Sequence, residues 1–113
     1  MKDPSNQPTA AAALDAAEKA LRSLDARCCE PGRSPRMAEL AATLAAVRAD
    51  LVAVSSDAAA ADAALLRLES AGAQIGSLQV GCCAPDRLPL YAEMLQHLTH
   101  VQLDVNRSLG RGH

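Results

Sequence analysis

The chain has 113 residues, enough for one domain with a single modest core, and its formal net charge is −2. Half of its residues are hydrophobic, but 25 are alanine and 16 are leucine, with one tyrosine and no phenylalanine or tryptophan. This composition favours a tightly packed helical bundle over a roomy ligand cavity. Acidic and basic residues are interspersed along the chain, which argues against a nucleic-acid partner or an anionic membrane surface.

The start of the chain and its hydrophobic runs predict a cytoplasmic protein. No stretch approaches the roughly 20 apolar residues that span a bilayer. Residues 1–8 are polar, contain two prolines and lack the apolar core of a signal peptide, so we expect a disordered lead-in. In a reducing cytoplasm, clustered cysteines are more often metal ligands or redox thiols than structural disulfides.

The first predicted helix runs from about Ala10 to Arg27, with Thr9 as its N-cap. Its apolar residues recur at a spacing of three and four, which is typical of a helix face that packs on a core. These residues are Leu14, Ala17, Leu21 and Leu24. The next position in the series is Cys28, and residues 30–34 then form a turn, because their prolines and glycine cannot continue the helix.

Three further helices follow from the same periodicity. Ser34 and Pro35 are predicted to be the N-cap and first residue of the second helix, and Pro89 begins the fourth. No strand pattern of comparable length occurs, so the predicted fold class is all-α. The apolar faces are Met37, Leu40, Leu44, Val47, Leu51 and Val54 in the second helix, Leu68, Ala71, Ile75 and Leu78 in the third, and Tyr91, Met94, Leu98, Val101 and Val105 in the fourth.

The chain contains an internal repeat. The pattern Cys-Cys-x-Pro-x-Arg-x-Pro-x-x-Ala-Glu occurs at residues 28–39 and again, fifty-four residues later, at 82–93. Each copy lies between two predicted helices. The sequence therefore predicts one helical domain, residues 9–109, made of two helix-loop-helix repeats at about 9–54 and 57–109.

The connection between the second and third helices allows two architectures. If Ser55-Ser56-Asp57 is a stop followed by an N-cap, the chain forms an up-down-up-down four-helix bundle with both cysteine loops at one end. If residues 36–79 form one helix, roughly 65 Å long, the outer helices fold back on it and an antiparallel homodimer brings the loops together. The usual length of helices and the preference of Ser and Asp for turns favour the bundle.

The four cysteines, Cys28, Cys29, Cys82 and Cys83, are the candidate functional residues. Adjacent Cα atoms are about 3.8 Å apart, whereas a disulfide needs roughly 4.4–6.8 Å, so a bond within either pair is strained. Bonds from Cys28 to Cys82 and from Cys29 to Cys83 are easier and would act as staples. Instead of holding a metal, the cysteines could also be reduced thiols packed as small hydrophobes, or form a redox switch at Cys29 or Cys83.

A four-thiolate metal or iron–sulfur site is the favoured hypothesis. Each cysteine pair precedes a helix N-terminus, whose partial positive charge lowers thiol pKa values. Arg33 and Arg87 occupy equivalent positions and either compensate an anionic cluster or pair with carboxylates such as Glu39 and Glu93. Four sulfurs from two related loops suit an iron–sulfur cluster or zinc, and copper(I) less well. Because adjacent cysteines chelate one tetrahedral ion poorly, a multinuclear cluster is mildly preferred.

The predicted role is electron transfer, sensing or metal handling, and not substrate turnover, because no acid–base pair accompanies the cysteines. A structural or interaction module is the competing hypothesis. His97 and His100 avoid the apolar face of the fourth helix and are predicted to be surface residues. Gly72 and Gly76 form a Gly-x-x-x-Gly face in the third helix, which predicts close helix packing there.

Overall fold

The computed structural model describes residues 9–27, 35–54, 56–81 and 87–108, and all regular structure in these ranges is helical. The helices are α1 (Ala10–Ala26), α2 (Pro35–Ala53), α3 (Ala58–Gly81) and α4 (Leu88–Ser108). The all-α prediction is confirmed, with boundaries within about a residue of those expected. The lead-in predicted for residues 1–8 and the N-cap predicted at Ser34 lie outside the described residues.

Side-chain caps explain where two of the helices begin. The hydroxyl of Thr9 accepts a hydrogen bond from the Ala12 N–H at 3.1 Å, as predicted for the start of α1. A carboxylate oxygen of Asp57 accepts one from the Ala59 N–H at 2.9 Å, which caps α3. Because α2 ends at Ala53 and α3 begins after this cap, the prediction of one helix over residues 36–79 is wrong. The antiparallel dimer derived from that helix loses its structural basis.

Removal of the α3 cap should have a measurable effect on stability. We expect Asp57→Ala to lower the free energy of unfolding by about 0.5–2 kcal/mol, because the first N–H groups of the helix lose their acceptor. Asp57→Asn keeps an oxygen acceptor and should cost much less. Urea unfolding of the two variants checks this, and an equal loss in both would mean that charge, not capping, is the relevant property.

The core is formed by the apolar faces that the sequence periodicity predicts. Every predicted face residue of α1, α3 and α4 is buried, as are the first four of α2. The last two predicted for α2, Leu51 and Val54, are partly buried and pack against the same cluster. Apart from the Tyr91 hydroxyl, the core of the described part of the chain contains apolar side chains only, so it is held together mainly by apolar packing.

Polar contacts establish the direction of each helix. The Ala10 N–H at the start of α1 donates to the Asp104 carboxylate near the end of α4, at 2.8 Å. At the other end, the Tyr91 hydroxyl of α4 donates to the Leu78 carbonyl of α3, at 3.4 Å. Between α2 and α3, the Arg67 side chain donates to Asp50 and that of Gln74 to Thr43, so these helices also run in opposite directions. The four helices therefore follow the up-down-up-down order of a four-helix bundle. The most extensive helix contacts are α1 with α4 and α2 with α3.

The repeat in the sequence is also a repeat in the packing. A shift of fifty-four residues along the sequence aligns α1 with α3 and α2 with α4. The same shift turns the α1–α4 interface into the α2–α3 interface, and these are the two most extensive helix interfaces. The two halves of the bundle are thus related by a pseudo-two-fold axis. Buried residues related in this way include Leu14 and Leu68, Leu21 and Ile75, Leu24 and Leu78, Leu44 and Leu98, and Val47 and Val101.

Candidate functional site

The cysteine pairs fall between the described helices. Cys28, Cys29, Cys82, Cys83 and Arg33 lie outside the described residues, so their predicted ligand roles stay predictions. Arg87 is described: it directly precedes α4 and is half-buried. What the structure contributes to the candidate site is the position and chemistry of the residues that border each cysteine segment.

Those bordering residues all lie at one end of the bundle. The first cysteine segment is bordered by Arg27 and Pro35, and the second is bordered by Gly81 and Arg87. Because the helices alternate in direction, the last residues of α1 and α3 share an end with the first residues of α2 and α4. In a bundle with axes 8–10 Å apart, helices on one diagonal are separated by roughly 11–14 Å. The borders of both segments therefore share one end of the bundle.

An apolar layer closes the core at this end. It consists of one residue from each helix: Leu24, Met37, Leu78 and Tyr91, all buried. The Tyr91 hydroxyl satisfies its hydrogen bond on the Leu78 carbonyl. This layer offers no carboxylate or imidazole ligand from beneath, so any ligands for a metal at this end would have to come from the two segments themselves.

Arginine predominates among the described residues that border the cysteine segments. Within two positions of the four borders, these charged residues are Arg27, Arg36, Arg87 and Asp25, and the sequence of the segments adds Glu30, Arg33 and Asp86. Neighbouring cations stabilise thiolates over thiols. The helix dipoles contribute less than the sequence suggested. The N-termini of α2 and α4 favour a thiolate, but the C-termini of α1 and α3, at the same end, oppose it.

The histidines of α4 do not assemble a second metal site. His97 Nε2 lies 3.7 Å from the Glu93 carboxylate, one turn away on the same helix, and its side chain is 22% exposed. His100 is half-buried. Among residues 9–27, 35–54, 56–81 and 87–108, no group of three His, Cys, Asp or Glu side chains is arranged to hold a metal ion.

An ion-pair cluster joins the first two helices. The Arg48 guanidinium of α2 bonds to the carboxylates of Glu18 and Asp15 on α1. The hydrogen bond to Glu18, and then that to Asp15, raises the pKa of Arg48 above its usual value. Asp15 and Arg48 are largely solvent-exposed, so the cluster gives a modest, salt-screened stabilisation.

Replacement of Arg48 provides a measure of that stabilisation. We expect Arg48→Gln, which introduces the residue found at the equivalent position 102, to lower the free energy of unfolding by at most about 1 kcal/mol. The loss should shrink when unfolding is repeated at about 1 M salt, where the screening length is about 3 Å. A loss that is independent of salt would assign the effect to packing of the arginine stem.

Sequence reasoning missed an open groove between α3 and α4. It is lined by residues of both helices, among them Leu66 and Leu95, whose side chains are exposed. Gly72 also lines it, and a Cβ atom placed on Gly72 or Gly76 would meet no atom within 4 Å. The prediction that these glycines mediate close helix packing is therefore wrong. The available signal was the presence of leucines off the predicted apolar faces.

Comparison with known proteins assigns no family to this chain: no family model, curated protein or solved structure matches it. Its chemistry has to be inferred from its own residues. In the part of the chain that the structure describes, none of the helices combines the length and the apolar character needed to cross a membrane.

Proposed function

We propose that this protein binds a metal ion or an iron–sulfur cluster through Cys28, Cys29, Cys82 and Cys83. Its role is electron transfer, sensing or metal handling in the cytoplasm, without turnover of a substrate. Arg33 and Arg87 balance the negative charge of the thiolates. The observation that carries the proposal is that the borders of both cysteine segments lie at the same end of the bundle.

The position of these borders matters because one ion or cluster requires all of its ligands within a few ångströms. Sites in helical bundles are commonly built from facing elements at equivalent positions. Here the two segments have equivalent sequences, and their flanking helices are related by the pseudo-two-fold axis. A ligand placed on that axis would meet the same residues from both sides.

The surroundings of the borders favour thiolates as ligands. Arg27, Arg33, Arg36 and Arg87 outnumber the carboxylates of Asp25, Glu30 and Asp86 in the sequence of the segments and their borders by one, and this small positive balance opposes protonation of sulfur. The apolar layer beneath supplies no competing carboxylate or imidazole. Soft, thiolate-only coordination is typical of iron–sulfur clusters, zinc and copper(I). Adjacent cysteines favour the first of these, because neighbouring sulfurs can bind different metal atoms of one cluster.

The test is metal analysis with a thiol count on full-length protein purified without air. We expect bound iron with acid-labile sulfide and a broad visible absorption, or, for zinc, a colourless protein with stoichiometric metal. Thiols should become titratable only after metal removal. A metal-free protein with no free thiols would instead establish disulfide staples. A metal-free protein with four free thiols would point to a structural module or a redox switch.

A further inference from the structure

The groove between α3 and α4 combines an apolar floor with exposed apolar walls. It has a volume of about 650 Å³ and runs between the first half of α3 and the second half of α4. Leu65, Leu68 and Leu98 form its less accessible part, whereas Leu66 and Leu95 are 68% and 38% exposed. Large apolar side chains left in water beside a groove are typical of a surface that binds a partner.

The equivalent surface in the first repeat is covered by charges. There, Arg48 bonds across α1 and α2 to Glu18 and Asp15. The residues fifty-four positions after Glu18 and Arg48 are Gly72 and Gln102, which cannot form that ion pair. Of the three residues in the ion-pair cluster of the first repeat, only Asp15 has a charged equivalent, Glu69, so the equivalent positions of the second repeat cannot form that bridge.

The second repeat is also more apolar at the edges of this surface. Leu66 and Leu95 replace the alanines at the equivalent positions, Ala12 and Ala41. Exposed leucine costs solvation free energy that exposed alanine largely avoids, roughly 25 cal/mol for each Å² of apolar surface. The groove is therefore where two exposed leucines lie together, whereas the other large exposed apolar side chains of the described chain, Val52, Leu88 and Leu103, do not line it.

Charge decides what kind of partner fits. The charged residues that line the groove are Asp62 and Glu69, and no lysine or arginine of the described chain lines it. Asp62 already has an interaction within the protein, so Glu69 is the carboxylate offered to a partner. A second copy of the protein is a poor occupant. Groove against groove would oppose the same carboxylates, and on the equivalent α1–α2 face the Arg48 guanidinium is already bonded to Asp15 and Glu18.

We propose that the groove binds an amphipathic helix of another protein that presents apolar side chains, with Lys or Arg beside them, on one face. From Leu95 to Asn106 the groove follows α4 for roughly 16 Å, about three helical turns. That length accommodates apolar anchors at positions i, i+3 or i+4, and i+7 of the partner. At Gly72 the absent side chain lets the partner backbone approach α3 closely.

The probe is a labelled 18-residue peptide of leucine and lysine in an amphipathic helical pattern, titrated with the full-length protein and followed by fluorescence anisotropy. Its control is the same peptide with glutamate in place of lysine. We expect saturable one-to-one binding of the lysine peptide, weakened by salt, and at least tenfold weaker binding of the glutamate peptide. Equal binding of the two peptides, or no binding of either, would overturn the proposal.

Matched variants separate the groove from the rest of the surface. The double change Leu66→Gln and Leu95→Gln should weaken the lysine peptide at least about fivefold, a typical loss at an interface hot spot. Leu103→Gln, an exposed leucine of α4 outside the groove, should leave affinity unchanged. Likewise Glu69→Lys should weaken binding more than Glu39→Lys, which changes the net charge equally. Equal effects within either comparison would mean non-specific attraction.

Hydrogen exchange on the unmodified protein gives an outcome that does not depend on any variant folding. The lysine peptide should slow exchange in residues 62–72 and 95–106, and protection confined to other segments would contradict the assignment. Sedimentation of the protein alone should show no self-association through the groove. If the protein does self-associate and the Leu66→Gln and Leu95→Gln double change abolishes that association, a second copy occupies the groove and the proposed partner class is wrong.

Discussion

Leu14→Ala should lower the free energy of unfolding by about 2–5 kcal/mol, against a total of roughly 5–15 kcal/mol for a domain of this kind. Leu14 is fully buried in the core, and its removal leaves a cavity. Its neighbours on α1 include Ala13 and Ala17, whose side chains are single methyl groups that cannot rotate into the space. A cavity that its neighbours cannot fill lowers the free energy of unfolding more, so we expect a loss in the upper half of this range.

The repeat supplies a second test of the same idea. Leu68 is the equivalent residue in α3 and is also buried, so Leu68→Ala should cost a similar amount. Leu103→Ala is the matched control, because Leu103 is 51% exposed and its truncation should cost no more than about 0.5 kcal/mol. Denaturant unfolding of the three variants measures the values. A loss for Leu103→Ala as large as for Leu14→Ala would contradict the core described above.

If the proposed four-cysteine site exists, Cys82→Ser should release its metal or weaken metal binding severely. A serine hydroxyl is a poor ligand for the soft metals that thiolates prefer. Loss of a residue that hydrogen-bonds to a metal ligand already lowers metal affinity roughly 10–100-fold. We expect loss of a direct ligand to lower it at least as much. Metal binding stabilises only the folded state, so the melting temperature should fall together with the metal content.

Two further variants make that result interpretable. Ala92→Ser introduces a serine at an exposed position near the start of α4 and should leave metal content and melting temperature unchanged. Cys28→Ser removes the equivalent thiol of the first repeat and should reproduce the effect of Cys82→Ser. If metal content and melting temperature are both insensitive to Cys82→Ser, a shared four-cysteine site does not exist. Metal loss in only one of the two cysteine variants would also contradict a site shared by both loops.

The α3–α4 groove shows the limit of prediction from periodicity. Leu66 and Leu95 fall outside the predicted apolar faces, and taken singly each is an ordinary exposed leucine. They line the same groove only because α3 and α4 are antiparallel and because Gly72 leaves space between them. The same applies to Arg48, whose two partners lie on another helix. Contacts between helices depend on their relative rotation, which a single-helix pattern does not specify.

By contrast, the sequence alone determined the helices, the faces they bury and the duplication. The spacing of Leu14, Leu21 and Leu24, and of their repeat equivalents, matches the 3.6-residue turn, and local patterns of this kind depend only on the geometry of one helix. The structure decided between the two architectures that the sequence allowed, because α2 ends at Ala53 and the Asp57 side chain caps the start of α3. It also decided the order of the helices around the core, since that order minimises exposed apolar area over the whole chain at once.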